Sequence, residues 1–173
     1  LLEKRLSLQN LMMVWVKQLT GIRMIISKTP FRMSFFGGGT DFPQWYNNHG
    51  GCVLTTTINK YCYINLRKLP PFFNYQFRLR YFKTEEKKNI KSISHKSFKE
   101  ILSYYKFDKE FIEIVYHADL PALSGLGSSS SSTVGMINAV NAYKNVRLSK
   151  KKLYYEAIKI EQQILKENVG SQD

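Results

Sequence analysis

Between Leu120 and Ser132 the chain reads Leu-Pro-Ala-Leu-Ser-Gly-Leu-Gly and then five serines in a row. Two glycines and six serines thus separate a strand-like run, 111–118, from a helix-like pattern that starts at Thr133. Strand, glycine turn and helix in that order make an anion site. Gly125 and Gly127 let the backbone pass through conformations closed to other residues and let a ligand come close. The unpaired amides of the following helix's first turn then face that ligand, with the positive end of the helix dipole behind them. No Gly-Lys-Ser/Thr follows the glycines, and their spacing is not that of the dinucleotide fingerprint, so neither of those phosphate loops is present. A serine-rich linker or a plainly capped helix is the competing reading. The apolar helix pattern directly behind the serines argues against the linker.

The remaining 160 or so residues must supply a core on which such a loop can sit, and 43% hydrophobic and 14% aromatic residues over 173 positions are enough for one domain of ordinary size. No apolar run reaches the roughly 18 residues of a membrane span, so no membrane partner is expected. Cys52 and Cys62 are too few for a disulfide framework, and a reduced, cytoplasmic protein is the expectation. The formal net charge of +13 invites a nucleic-acid reading. Against it, the lysines are spread along the chain, Lys83, Lys91, Lys99 and Lys150 among them, and no RNA- or DNA-binding module is recognisable. The abundance of Lys, Ile, Asn, Tyr and Phe matches the coding bias of an AT-rich genome. Nucleic acid is therefore not the expected partner, whereas an anionic substrate would be drawn by such a field.

Taken in order, residues 1–23 carry no signal-peptide pattern. They read as an extension outside the fold, with a short amphipathic helix that aligns Leu8, Leu11, Met12 and Trp15. A short strand over 24–28 and an extended run over 30–36 lead into Gly37-Gly38-Gly39-Thr40-Asp41, a tight turn in which Asp41 can cap a short helix over 42–48. Two consecutive strands are expected over 51–58 and 60–67, divided at Asn59, and a half-buried strand over 75–82. The charged stretch 83–91 reads as a solvated turn. A surface helix over 97–106 turns Phe98, Ile101, Leu102 and Tyr105 inward. His117 reads as a strand histidine with a hydrogen-bond partner, not a catalyst; His49 and His95 receive no role. Ser149 is a good N-cap for a last helix whose Leu153, Ala157, Ile160 and Ile164 form a buried stripe, with Glu161 beside it and Glu156 and Glu167 facing water.

Three stretches, in order, resemble the motifs of the GHMP small-molecule kinases, the family of galactokinase, homoserine kinase, mevalonate kinase and phosphomevalonate kinase. Pro121-x-x-x-Gly125-Leu126-Gly127-Ser128-Ser129-Ser130 is similar to that family's phosphate-binding loop. Thr29-Pro30-x-Arg32-x-Ser34-x-x-Gly37-Gly38-Gly39-Thr40-Asp41 resembles its first motif. Glu161, followed by Gly170-Ser171-Gln172-Asp173, resembles its magnesium-binding helix glutamate and its Gly-x-x-Asp. Where galactokinase has Glu-His after the arginine, this chain has the triple glycine of the heptose-kinase branch. That departure implies D-glycero-D-manno-heptose 7-phosphate as acceptor, with the anomeric hydroxyl phosphorylated by ATP to give the 1,7-bisphosphate. Fucose, galactose or another GHMP substrate is the alternative.

The resemblance implies an α+β fold of the ribosomal protein S5 domain 2 type, a mixed sheet with helices packed on one face, over residues 24–173. It implies ATP as co-substrate held by Pro121, Ser124, Gly125, Leu126, Gly127, Ser128, Ser129 and Ser130. Magnesium would sit on Ser129, or Ser128, with Glu161. Arg32 would stand beside the transferring phosphoryl group, Asp173 at the acceptor hydroxyl, and Gly37, Gly38, Gly39, Thr40 and Asp41 around the sugar. The residue types suit these tasks: a guanidinium offers phosphoryl oxygens a fixed fork, and a carboxylate accepts from two hydroxyls at once. Members of the family carry a further C-terminal domain, so the expectation for this chain is an N-terminal half with little or no turnover alone. An inactive nucleotide-binding remnant and, from another class, a basic RNA-binding domain are the competing expectations. The sequence does not set the oligomeric state.

Overall fold

The computed structural model describes residues 13–19, 22–70, 72–122 and 124–171, with side chains from Met24 onward. Its organising strand is β3, Leu54–Lys68, where Cys62, Ile64 and Leu66 are buried and the residues between them are only half-buried. The same alternation runs through β2, Ile22–Phe35, whose Ile25, Ser27, Thr29 and Phe31 are buried. Burial with a period of two marks a sheet covered on one face. The remaining strands are β1 (Met13–Leu19), β4 (Phe77–Arg80), β5 (Thr84–Lys87) and β6 (Ile112–Ala118), and the sheet order is β1-β2-β3-β6-β4-β5. All neighbours run antiparallel except β4 and β6, which are parallel, so the sheet is mixed as expected.

Four α-helices accompany it: α1 (Pro43–His49), α2 (Lys96–Tyr104), α3 (Ser128–Tyr143) and α4 (Lys150–Ile158). α3 lies across β2 and β3, with α2 and α4 beside it. Phe98, Ile101 and Leu102 of α2, Met136, Ile137 and Val140 of α3, Leu153 and Ala157 of α4, and Ile160 just beyond it close over the inward side chains of the sheet as one core. Their burial is the main force holding α3, and with it the loop in front of α3, in a fixed place. Ser149 caps α4 as expected, its Oγ accepting from the Lys152 amide at 3.2 Å.

Several expectations are corrected. The two strands expected on either side of Asn59 are one, β3; the β2–β3 pairing shifts register between Pro30 and Arg32, so the break at Asn59 is an irregularity within a strand. The charged stretch 83–91 contains β5 and a 3-10 turn, Ile90–Ser92, and buries Glu85 and Ile90. Glu85 tolerates burial because Tyr81 Oη and the Ser94 amide donate to it and Lys83 and Lys87 stand beside it. No amphipathic helix forms around Trp15, which lies in β1 opposite Ile26; β1 adds an edge strand from within the 1–23 segment, and Leu8, Leu11 and Met12 lie outside the described residues. His95 caps α2, its Nδ1 accepting from the Phe98 amide at 3.4 Å, while His117 is exposed on β6. Among the described residues no helix is long and apolar enough to cross a membrane.

Candidate active site

The loop enters α3 through Gly127, the N-cap, whose φ of 74° and ψ of 36° are left-handed. A Cβ there would also stand 3.0 Å from Arg32 Cγ and 3.3 Å from its Nε, so a side chain is excluded by conformation and by space together. Of the five serines behind it, three are occupied with the chain itself. Ser130 Oγ donates to Gly127 O at 3.1 Å, Ser131 Oγ to Pro30 O at 3.0 Å and Ser132 Oγ to Ser129 O at 2.7 Å. Ser128 and Ser129 have their places on the wall of an open cleft of about 560 Å³, together with Gly125, Gly127 and Ser130. The stretch expected to cradle phosphate therefore lines a concavity at a helix N-terminus.

Arg32 joins β2 to that loop. At the register shift its amide donates to Leu126 O at 3.1 Å, and its side chain crosses Gly127 to line the cleft. Burial lowers the guanidinium from its ordinary value, while the negative charges of Asp41 and Glu161 pull it back up. Arg32 is thus the cation between two carboxylates that come from the first and third motifs.

Glu161 reaches the cleft from a turn of π-helix, Lys159–Ile164, in which Leu165 N bonds Ile160 O at 2.8 Å. The extra residue of a π turn moves the helix register on by one. Leu165, not Ile164, is consequently the buried end of the stripe; Ile164 is half-buried. Glu161 is only 2% exposed, and burial, helped by the charge of Glu167, pushes its carboxyl up to about 7 against the opposing effects of Thr133 and Arg32. Thr133 Oγ1 is itself buried without a hydrogen bond of ordinary geometry, so its influence on Glu161 is that of a nearby dipole. Glu167, expected to face water, is half-buried and lines the same cleft. Only its distance from Glu161 along an irregular turn hid it from a reading based on regular helical spacing.

The first motif closes on the third. Asp41 O accepts from Ser171 N at 2.9 Å, and a Cβ on Gly170 would lie 1.9 Å from Asp41 Oδ2, so the chain after the π turn can pack here only as glycine. Asp41 does not cap α1, whose N-cap is Phe42; its Oδ1 accepts from the Gly39 amide at 2.8 Å, closing the glycine turn, and the side chain is buried. The residues expected to hold the sugar are divided. Gly37 and Gly38 line the cleft of Ser128 and Ser129, whereas Asp41 lines a second cavity. Thr40 Oγ1 is engaged by Cys52, donating to its carbonyl at 2.8 Å and accepting from its amide at 3.1 Å. Pro121, Ser124 and Leu126 shape the loop without lining the cleft, Leu126 through its carbonyl and its contact with the core. Asp173 lies outside the described residues.

The donor set suits a hard cation. Glu161, Ser128 and Ser129 offer oxygen alone, and the Ser124 hydroxyl is buried beside the glycines with no partner of its own. Among the described residues no group of three or more His, Cys, Asp or Glu is arranged to hold a metal ion. Magnesium fits such a site, since it takes one or two protein oxygens and completes its octahedron with water and phosphate.

Comparison with known proteins agrees with this architecture. Residues 92–173 match the family model of the GHMP kinases N terminal domain. A curated D-glycero-alpha-D-manno-heptose 7-phosphate kinase of Campylobacter jejuni is 29% identical over 163 residues, which make up 86% of this chain and 45% of that protein. A crystal structure described as a D-glycero-D-manno-heptose 1-phosphate kinase from Bacteroides thetaiotaomicron superposes with a TM-score of 0.73 at 24% identity, covering 88% of this chain and 51% of the other. Lactococcus lactis galactokinase complexed with galactose superposes with a TM-score of 0.63 at 19% identity over 88% of this chain and 40% of its own. The chain thus spans about half the length of the relatives it matches.

Proposed function

We propose that this chain, whose fold is that of a GHMP kinase N-terminal domain, is the nucleotide-binding part, over residues 24–173, of an ATP-dependent sugar kinase of the heptose 7-phosphate type. One observation carries the reading. Three motifs far apart in sequence meet at atomic contact: Arg32 N on Leu126 O at 3.1 Å, the Arg32 side chain across Gly127, and Asp41 O on Ser171 N at 2.9 Å. A loop that merely capped a helix would have no need of a half-buried arginine and a buried glutamate on its open side.

Phosphoryl transfer asks a protein mainly to hold the phosphates in line, spread their charge and aim the acceptor. The amides from Gly125 to Ser130 would cradle the terminal phosphates of ATP, and Arg32, its charge retained by Asp41 and Glu161, would bind oxygens of the transferring group. Glu161 and Ser129 would hold magnesium, which when bound neutralises phosphate charge. Asp41 would accept from sugar hydroxyls. Asp173 would orient the acceptor hydroxyl, whose oxygen bonds to the γ-phosphorus as ADP departs, and would receive its proton. Use of ATP would place the reaction in the cytoplasm.

The test is ATP-dependent phosphorylation of D-glycero-D-manno-heptose 7-phosphate by the whole protein, with galactose, fucose and mevalonate in parallel and Asp173→Asn as control. Product from the heptose alone, lost in the control, is expected. No product from any acceptor, with folded protein and salt-sensitive RNA binding in its place, would overturn the reading.

A further inference from the structure

Beside the phosphate cleft, across the 37–41 turn, lies a second cavity of about 680 Å³, a size usual for small-molecule sites. It is lined by Asp41 and Ser171, by Tyr46 of α1 and by Tyr154 and Tyr155 of α4. Tyr154 and Tyr155 leave 48% and 57% of their surface open, set edge to face with ring centroids 5.2 Å apart. The Tyr154 phenol is raised by burial and then by the electrostatic influence of Tyr155 and Tyr46. Open aromatic faces above a buried carboxylate form a specific chemical combination. The rings present negative faces to polarised C–H bonds, and the carboxylate and phenols take hydroxyl hydrogens. A polyhydroxylated ring with one apolar face satisfies both.

We infer that Tyr154 and Tyr46, which line the cavity of Asp41, are specificity-determining residues for the acceptor ring, Tyr154 as stacking platform and Tyr46 as hydroxyl partner. The inference rests on the sugar-kinase reading above and adds residues that its motifs do not contain. Position agrees with it: Gly37 and Gly38 line the first cleft and Asp41 the second cavity, so both cavities are bordered by the same short turn.

Cys52 makes the cavity measurable without catalysis. It lines the wall with an exposed free thiol, whereas Cys62 is buried and its thiol is pushed up to about 12 by that burial. Iodoacetamide therefore reports on Cys52, with Cys62 as the silent internal control. In the whole protein, saturating D-glycero-D-manno-heptose 7-phosphate should slow Cys52 alkylation, read by mass spectrometry, by about fivefold or more, and ADP should not. Tyr154→Ala should raise the acceptor KM about tenfold and leave the KM for ATP within about twofold, with Tyr154→Phe close to wild type. Tyr46→Phe should raise the acceptor KM alone. Phosphorylation of the sugar with no protection of Cys52 and an unchanged KM in Tyr154→Ala would overturn the acceptor-site inference and leave the kinase reading standing. Protection of Cys52 by the sugar without phosphorylation would overturn the kinase reading and support the cavity as a sugar site.

Discussion

Replacing Glu161 with glutamine keeps the size of the side chain and removes a charge that the fold holds at 2% exposure. In the folded protein the carboxyl is raised from its ordinary 4.5 to about 7, first by burial and then by Glu167. The sign follows from proton binding. Between these two values the folded state holds a proton that the unfolded state has released, so stability contributed by the neutral acid is full below 4.5 and is lost as pH rises through about 7. At 1.36 kcal/mol per pKa unit the whole loss is roughly 3 kcal/mol. For a protein of this size each kcal/mol moves the melting temperature by about 2–4 °C. Glu161→Gln, free of magnesium and nucleotide, should therefore melt roughly 6–12 °C above wild type near pH 8 and level with it near pH 4.

Thermal unfolding of both proteins in EDTA, followed by circular dichroism across that range, measures the gap. Excess magnesium and ADP should then reverse the order: ligand at a hundredfold of its Kd stabilises by about 2.7 kcal/mol, and a glutamine in place of an anionic ligand gives up part of that. A gap that does not change with pH, or a glutamine variant less stable near pH 8, would refute the view that this carboxylate is held at the cost of the empty protein's stability.

Gly127→Ala places a Cβ at a left-handed N-cap and 3.0 Å from Arg32 Cγ; ADP affinity, by calorimetry, should fall about tenfold or more, with the melting temperature lowered by only a few degrees. Gly170→Ala drives a methyl to within 1.9 Å of Asp41 Oδ2 and should cost about 1–3 kcal/mol in denaturant unfolding while raising the acceptor KM. Glu85→Gln should lower stability by on the order of 1–3 kcal/mol at neutral pH. Although burial pushes the Glu85 carboxyl up, the hydrogen bonds from Tyr81 and Ser94 and the charge of Lys83 outweigh it and hold it at about 2, so the deficit should shrink as pH falls from 4.5 toward 2.

Elements with local signals were readable. The strand at 112–118, the glycine loop and α3 follow from composition at fixed positions, and Ser149 with Leu153 and Ala157 defines α4 by cap and period. What escaped depends on partners distant in sequence. Nothing near Asn59 reveals that β2 can absorb an irregularity there and keep β3 continuous. Glu85 looks like a surface charge until Tyr81, Ser94 and two lysines surround it. Ile164 and Glu167 were misplaced for a single reason, the π turn, which no hydrophobic periodicity of 3.6 anticipates.

The departures from local rules fall together in space. A left-handed N-cap at Gly127, a shifted register at Arg32 and a π turn whose Glu161 carboxylate is only 2% exposed all border one cleft. Each is unfavourable taken alone, and stabilisation by the surrounding core is what allows them to persist. Scattered at random, such features would signal a chain poorly matched to its fold. Converging on a helix N-terminus, they fit the proposed function, in which an anion would stand opposite Arg32 and a cation opposite Glu161. A magnesium nucleotide supplies both charges in a single ligand. It would also relieve the Glu161 penalty at the same moment, which ties the stability measurement proposed for that residue directly to the chemistry proposed for the site.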